Sequence, residues 1–392
     1  MAIGFVVSAG DLQDPPTVSR GETDDIGTKL LRPLRFAIFG TGFWSRFQLA
    51  AWRQIGGVEC VAAWNRTHAR AQTLAKEFGI PRVYQHPEEL LRNERLDFID
   101  IITDPVAHKP LTLLGLQHRV PVICQKPMAD NWTSAREMVA ASQSANVPLY
   151  IHENWRWQRP LREVKQCLLA RRLGRTFRAR IEFCCSFPVF DNQPFLRQLE
   201  QFILSDLGSH LLDTARFLFG EAHSLTCTVD RIHSDIRGED VATVVLNMAD
   251  GMTVICQMSY ASRTERERFP QTFVEIEGSE ACLSLGPDYR LAITNAHSTE
   301  TIHVPPVTYD WADPAYALVH ASIVSCQENL LSALRGEAAA ETTAADNLRT
   351  MQLVHTAYES ALRGTTIVLD PLPVPASLGA AAIGQHRIGE KT

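Results

Sequence analysis

The sequence predicts an α/β protein in two parts: a doubly wound parallel sheet, then an α+β part built on a large, mostly antiparallel open sheet. Three observations predict it. Apolar strand-like runs alternate with helical spacing six times between residues 34 and 152, the pattern of βαβ units. The first run, 34–39, stops at Gly40-Thr41-Gly42 and reopens as a helix. Beyond residue 220 strand-like runs follow one another closely with few helices, and Asp250-Gly251 between two of them is a strong hairpin turn.

Taken in order, the first strand (34–39) leads into a helix over 46–54, closed by Gly56-Gly57. A strand over 58–64 follows, then a helix over 68–78, capped by Thr67 and ended by Gly79. A short strand at 83–84, a helix over 87–92 and a strand over 98–103 come next. Helices over 108–118 and 134–144 flank a strand at 120–124, and a strand at 148–152 completes the first sheet. The second part opens with a helix over 160–170 and a strand over 177–187. A helix over 204–218 ends at Gly220, and strands are expected at 224–230, 240–248, 253–259, 271–277, 281–286 and 291–295. Helices over 315–335 and 343–361 close the chain. The expected division is a flexible extension (1–33), a dinucleotide-binding part (34–152), a substrate-binding and oligomerisation part (153–369) and a flexible tail (370–392).

Composition narrows the functional classes. With 392 residues the chain exceeds what one hydrophobic core usually serves. The formal net charge of −6 leaves no basic excess for nucleic acid or an anionic membrane. The nine cysteines are odd in number, mostly within apolar runs and without a Cys-x-x-Cys pair, which fits buried free thiols in a reducing cytosol. No apolar run reaches the ~20 residues that span a bilayer, and residues 1–33 lack the basic segment of a secretory signal. A cytoplasmic location is expected.

Chemistry concentrates at four places. A strand that stops at Gly40 and Gly42 and restarts as a helix leaves backbone N–H groups and a helix N-terminus at one point, which suits a pyrophosphate on Gly40, Thr41, Gly42, Phe43 and Trp44. Ser45 stands where a third glycine is usual, and an ordinary βα turn is the plain alternative. The second strand ends Asn65-Arg66 with no carboxylate. Asn65 can hydrogen-bond a ribose, and Arg66 can stack on adenine or pair with a 2′-phosphate, so NAD is expected and NADP stays open. Thr103 and Asp104 stand at the end of the fourth strand with His108 just beyond, and Gln125 and Lys126 at the end of the fifth, both at the carboxyl edge where such sheets bind ligands. Asp206 and His210 lie four apart and share a helix face, so a carboxylate there can orient an imidazole that accepts a proton. The same spacing is also common in purely structural pairs, and no third ligand stands at a spacing that indicates a metal.

Together these segments resemble the glucose–fructose oxidoreductase/inositol dehydrogenase (Gfo/Idh/MocA) family, over about 34–369. The family has a Gly-x-Gly strand–turn–helix, Glu-Lys-Pro after the fifth strand, and Asp-x-Gly-x-His-x-x-Asp on the first long helix of an open-faced α/β domain. This chain has Gln125-Lys126-Pro127, which departs at the first position, and Asp206-Leu207-Gly208-Ser209-His210-Leu211-Leu212-Asp213, a full match. The resemblance implies an NAD(P)-dependent oxidoreductase with Lys126, Asp206 and His210 as catalytic residues. His210, oriented by Asp206, would remove a hydroxyl proton, and Lys126 would position that oxygen; Lys126 and His210 could share the base role.

Segments 151–158, 187–195 and 311–314 are similar to the D-apiose dehydrogenase group of that family. That implies oxidation of a branched aldose to its lactone, with another sugar, polyol or inositol as the alternative substrate. Lys126, Asn154, Trp155, Arg156, Asp191, Asn192, Asp206 and His210 are the candidate substrate-binding residues, and Trp157, Phe187 and Phe190 are either sugar-facing or core aromatics. A dinucleotide-binding sensor without turnover is the other class, favoured only by Gln125. A homodimer or homotetramer is expected, because an open sheet needs its second face covered.

Overall fold

The structure, a computed structural model, describes residues 32–372. The extensions expected at 1–33 and 370–392 lie outside the described residues, apart from 32–33 and 370–372. The first sheet holds β1 (Leu34–Phe39), β2 (Val58–Trp64), β3 (Arg82–Tyr84), β4 (Phe98–Ile101), β5 (Val122–Gln125) and β6 (Leu149–His152). Their order is β3-β2-β1-β4-β5-β6, all parallel. This is the doubly wound order in which the ligand crevice opens where the winding reverses, between β1 and β4. The helices α1 (Phe43–Ile55), α2 (His68–Phe78), α3 (Pro87–Asn93), α4 (Pro105–Gln117) and α5 (Trp132–Ala145) connect them. Because helices cover both faces, the strands are near-continuous apolar runs. Asp100 in the middle of β4 interrupts that pattern: it is fully buried and accepts a 2.8 Å bond from Trp52 Nε1 of α1. Thr67 takes the N-cap position of α2 but makes no side-chain capping bond.

After the single turn Trp155–Trp157 and α6 (Arg159–Leu169), β7 (Thr176–Cys184) enters the second sheet. It ends three residues earlier than the sequence suggests, and Pro188 opens the short α7 (Val189–Asn192). The helix expected from 204 starts as one wide π turn, Leu204–Gly208, before α8 (Ser209–Phe219). Then come β8 (Ala222–Asp230), β9 (Val241–Met248), β10 (Thr253–Ser259), β11 (Phe273–Gly278), β12 (Ala281–Leu285), β13 (Arg290–Asn295) and β14 (Thr299–His303). The helices α9 (Ala317–Leu334) and α10 (Ala344–Arg363) and the two-residue β15 (Ile367–Val368) complete the chain. The nine strands run β14-β13-β12-β11-β7-β10-β9-β8-β15, antiparallel except for β7 against β10. The fold is therefore α/β, a parallel Rossmann sheet followed by a mostly antiparallel one, as predicted. The sequence reading passed over β14 and β15.

One face of the second sheet packs on α8 and α10. The other carries cross-strand ion pairs, Arg178–Glu277 at 2.6 Å and Arg180–Glu275 at 2.9 Å, between directly opposed residues of β7 and β11. The last two helices tie the sheets together. Cys326, Leu330 and Leu331 of α9 join Leu49 and Trp52 in a core against the first sheet. Met351 of α10 packs on the first sheet's core, whereas Leu353, Val354 and Ala357 pack on the second's. A buried polar node reinforces this junction: Arg156, only 5% exposed, makes a bidentate pair with Asp213 at 2.6 and 2.7 Å and reaches Asp346 of α10 at 3.0 Å.

Two stability predictions follow from these buried groups. Removing the Arg156 guanidinium leaves the 0%-exposed Asp213 carboxylate short of its main partner. Arg156→Met is therefore expected to lose about 3–5 kcal/mol in urea denaturation; a loss below 1 kcal/mol would show the node is dispensable. Burial pushes the Asp100 carboxyl up to about 7, against the Trp52 bond. Its folded value thus exceeds the unfolded one of about 4, so the wild type should lose stability as pH rises from about 4 to about 7. Asp100→Asn cannot ionise, so its stability relative to wild type should rise between pH 5 and pH 8; a pH-independent difference would contradict this.

Candidate active site

At the first glycine loop, Gly40 has φ +102° and a Cβ there would stand 2.1 Å from the Ile102 carbonyl oxygen, so β1 can turn against β4 only with glycine. Gly42 caps α1 without a side-chain bond, and a Cβ on it would meet nothing within 4 Å. Thr41 Oγ1 beside it is buried without a partner. Ser45 fills the third glycine position by turning its hydroxyl onto the Gly42 carbonyl at 2.6 Å. An open backbone at a helix N-terminus, next to an orphaned hydroxyl, fits a dinucleotide pyrophosphate.

The rim of this crevice is wired differently from the sequence reading at one residue. Asn65 donates to the Thr67 carbonyl at 3.0 Å, and Arg66, 84% exposed, faces Asp104 at 3.6 Å. Thr103 is half-buried beside them. His108, expected among the cofactor-binding residues, is 0% exposed. Its Nδ1 lies 2.9 Å from the Pro127 carbonyl and its Nε2 3.2 Å from the Thr103 carbonyl, and burial lowers its pKa. It braces the loops after β4 and β5 from within, out of reach of a ligand.

Lys126 emerges from the end of β5, and its Nζ donates to Asp206 Oδ1 at 2.8 Å and to the Asp206 carbonyl at 3.1 Å. Tyr260, one residue past β10, donates its hydroxyl to Asp206 Oδ2 at 3.3 Å. Burial alone would raise the Asp206 pKa, but the Lys126 ammonium overrides it and holds the carboxyl below its ordinary range. Asp206 therefore does not orient His210, contrary to the reading from their spacing. The π turn widens the helix at that point, and the carboxylate is drawn to Lys126.

His210 finds another partner. Its Nδ1 lies 2.5 Å from Glu153 Oε1, just after β6, and the Trp155 indole stacks on its ring at 4.3 Å between centroids. Burial, with the Lys126 charge next, pushes the imidazole well below its ordinary pKa. Gln125, in place of the family's Glu, takes the Lys126 backbone N–H on Oε1 at 2.9 Å and turns its amide to His152 Nδ1 at 3.4 Å.

Lys126, Asp206 and His210 line one cleft of about 70 Å³, with Gln125, Asn154, Trp155 and Tyr260. Trp44 of α1 closes its other side, joined by Phe269 and Tyr316. The cleft thus runs from the glycine-loop helix to the second sheet. Asn154 also donates to Ser322 Oγ at 2.7 Å. Two expected substrate contacts do not reach the cleft: Arg156 is consumed by the buried node, and Asp191 points into solvent while its neighbours Val189 and Gln193 form the wall. The side chain of Asn192 lies outside the described residues. Of the aromatics, Trp157 packs under Arg162, Phe187 stacks on Phe269 at 3.8 Å, and Phe190 leans on Phe202, so all three are packing residues. Sequence reasoning missed Glu153 and Tyr260. Glu153 carried a signal, a carboxylate at the carboxyl edge of β6 followed by aromatics. Tyr260 carried none, since the pairing of β10 within the second sheet brings it in.

Comparisons with known proteins agree with this geometry. Residues 34–153 match the family model described as an oxidoreductase family with an NAD-binding Rossmann fold, and 161–284 match the GFO/IDH/MocA C-terminal domain. The chain is 42% identical over 349 residues to a D-apiose dehydrogenase of Paraburkholderia graminis, covering 89% of this chain and 93% of the relative. It is 36% identical over 334 residues to a D-apiose dehydrogenase of Rhizobium rhizogenes, covering 85% and 97%. Among solved structures it is similar to an oxidoreductase from Agrobacterium radiobacter in complex with NAD+, L-tartaric acid and magnesium, with 36% identity, TM-score 0.84, and coverage of 86% and 98%. With both family models matched in order and relatives this similar over nearly their whole length, the chain belongs to the Gfo/Idh/MocA family of NAD-binding oxidoreductases.

Proposed function

We propose that this protein is an NAD-dependent sugar dehydrogenase that oxidises D-apiose, or an aldose closely like it, to the lactone. One observation carries the reading: Lys126, Asp206 and His210 converge on a single cleft, in a chain 42% identical over 349 residues to a D-apiose dehydrogenase. NAD, when bound, supplies the acceptor for hydride. Gly40 to Trp44 hold its pyrophosphate, Asn65 and Arg66 its adenosine side, and Thr103, Asp104 and Gln125 border the crevice. His210 Nε2, the ring nitrogen not taken by Glu153, accepts the substrate hydroxyl proton. Burial keeps this imidazole neutral and so ready to do so. Lys126, held by Asp206, donates to the same oxygen and stabilises its developing negative charge. Asn154, Trp155 and Tyr260 shape the sugar-side wall.

We place the functional division at 152/153, cofactor side before and substrate side after. Among the described residues no helix is long and apolar enough to cross a membrane; with nine free thiols, most of them buried, this supports a cytoplasmic enzyme. A second copy is expected to cover the outer face of the open nine-stranded sheet, giving a homodimer or homotetramer.

The test is absorbance of reduced nicotinamide with NAD and a panel of aldoses and polyols including D-apiose. Turnover is expected with D-apiose; turnover with a different sugar alone would overturn the narrower substrate. Lys126→Met and His210→Ala are each expected to lower kcat by about 10²- to 10⁴-fold while NAD still quenches tryptophan fluorescence. Near-normal turnover in either variant would remove that residue from the chemistry. Light scattering is expected to give a multiple of the chain mass, and a monomer would refute the oligomer.

A further inference from the structure

We propose that Glu153 is the positioning residue of His210, fixing the imidazole tautomer whose Nε2 lone pair faces the cleft. The proposal rests on the dehydrogenase reading above for the role of His210, and on geometry for that of Glu153. Glu153 is 0% exposed, and its Oε1 lies 2.5 Å from His210 Nδ1. The same oxygen accepts the Trp155 backbone N–H at 3.2 Å, which fixes where it points. The Trp155 indole then stacks on the imidazole at 4.3 Å and 20°, and its own Nε1 is anchored on Thr272 Oγ1 at 2.8 Å. The ring is thus held at its edge by a carboxyl and at its face by an indole, and both come from the segment just after β6.

The obvious competitor for this role, Asp206, bonds elsewhere, and His210 Nδ1 is already taken by Glu153. Both carboxylate oxygens of Asp206 are engaged, Oδ1 by Lys126 and Oδ2 by Tyr260. The cleft therefore contains two separately wired pairs, Lys126–Asp206 and His210–Glu153. In the second, a carboxylate that accepts Nδ1–H leaves Nε2 without a proton. In the oxidation, the substrate O–H bond breaks and Nε2–H forms, while the C–H pair leaves as hydride to NAD and the carbonyl closes. The resulting imidazolium sits directly beside the Glu153 carboxylate, which stabilises it. A base oriented by a third group is a recurring arrangement for such chemistry.

The experiment compares wild type, Glu153→Gln and Glu153→Asp by ¹⁵N NMR of the histidine rings, with His210→Asn identifying the His210 signals, and by steady-state kinetics with NAD and D-apiose. Wild type is expected to show His210 protonated at Nδ1. Glu153→Gln, which keeps the shape but can donate its amide to Nδ1, is expected to move the proton to Nε2. It should also lower kcat by about 10²- to 10⁴-fold with KM changed less than threefold. Glu153→Asp is expected to restore the Nδ1–H signature and part of kcat, which a merely space-filling role would not produce. An unchanged His210 tautomer in Glu153→Gln, or kcat within twofold of wild type, overturns the proposal. A wild type that turns over no sugar, but whose His210 signal still shifts in Glu153→Gln, overturns the dehydrogenase reading and leaves the positioning role standing.

Discussion

The Lys126–Asp206 ion pair is the interaction on which the rest of the site depends. It joins the carboxyl end of β5, in the first sheet, to the helix that covers the second, at 2.8 Å and with both side chains under 20% exposed. Partly buried charges favour pairing, because the desolvation penalty of each is offset by the other and by the hydrogen bonds from Tyr260 and to the Asp206 carbonyl. That preference draws the two sheets together where the parallel sheet offers its ligand crevice. It also commits Asp206, leaving His210 to find its partner elsewhere. The aromatic residues then close a cleft whose polar centre is already set.

Around that pair, burial pushes titratable groups in opposite directions. The Lys126 ammonium holds Asp206 ionised despite its burial, whereas the same ammonium and the same burial keep His210 neutral. Burial pushes Glu153 up to about 7, with Lys126 pulling the other way. Burial and this one positive charge together thus hold one acid ionised and one base neutral, while burial raises a second acid to about 7. Separating the protonation preferences of neighbouring groups is how a site at neutral pH obtains both a proton acceptor and a fixed cation.

How much of this could be read from the sequence depends on the range of the interaction. The glycine loop was legible because its demands are local: Gly40 turns at positive φ, Gly42 leaves the helix end bare, and apolar strand and helix periodicities flank both. The six-strand sheet followed from alternation, since each βαβ unit announces itself within some thirty residues. Reading Asp206 as the partner of His210 failed because spacing assumes a regular α-helix, and a π turn with a lysine 80 positions upstream decided otherwise. Arg156 looked like a sugar ligand in a segment of aromatics, yet Asp213 and Asp346, from 57 and 190 positions away, claim it. His108 and Tyr260 likewise acquire their surroundings only when distant strands pair. Strand β15, two residues long, has no periodicity to detect.

The adenosine side shows the same principle working on selectivity. Strand β2 ends without the carboxylate that usually takes the ribose, and Arg66 alone would favour a 2′-phosphate. In the fold that cation already faces Asp104 from the end of β4 at 3.6 Å, so an added phosphate would have to displace an existing partner. Both groups are exposed, 84% and 45%, and water and salt weaken such pairs to at most about 1 kcal/mol. That corresponds to roughly a fivefold bias. On the cofactor reading proposed above, the pair tilts the chain toward NAD without forbidding NADP, and stronger discrimination would have to come from the loop after β2, where Asn65 donates to the Thr67 carbonyl at 3.0 Å.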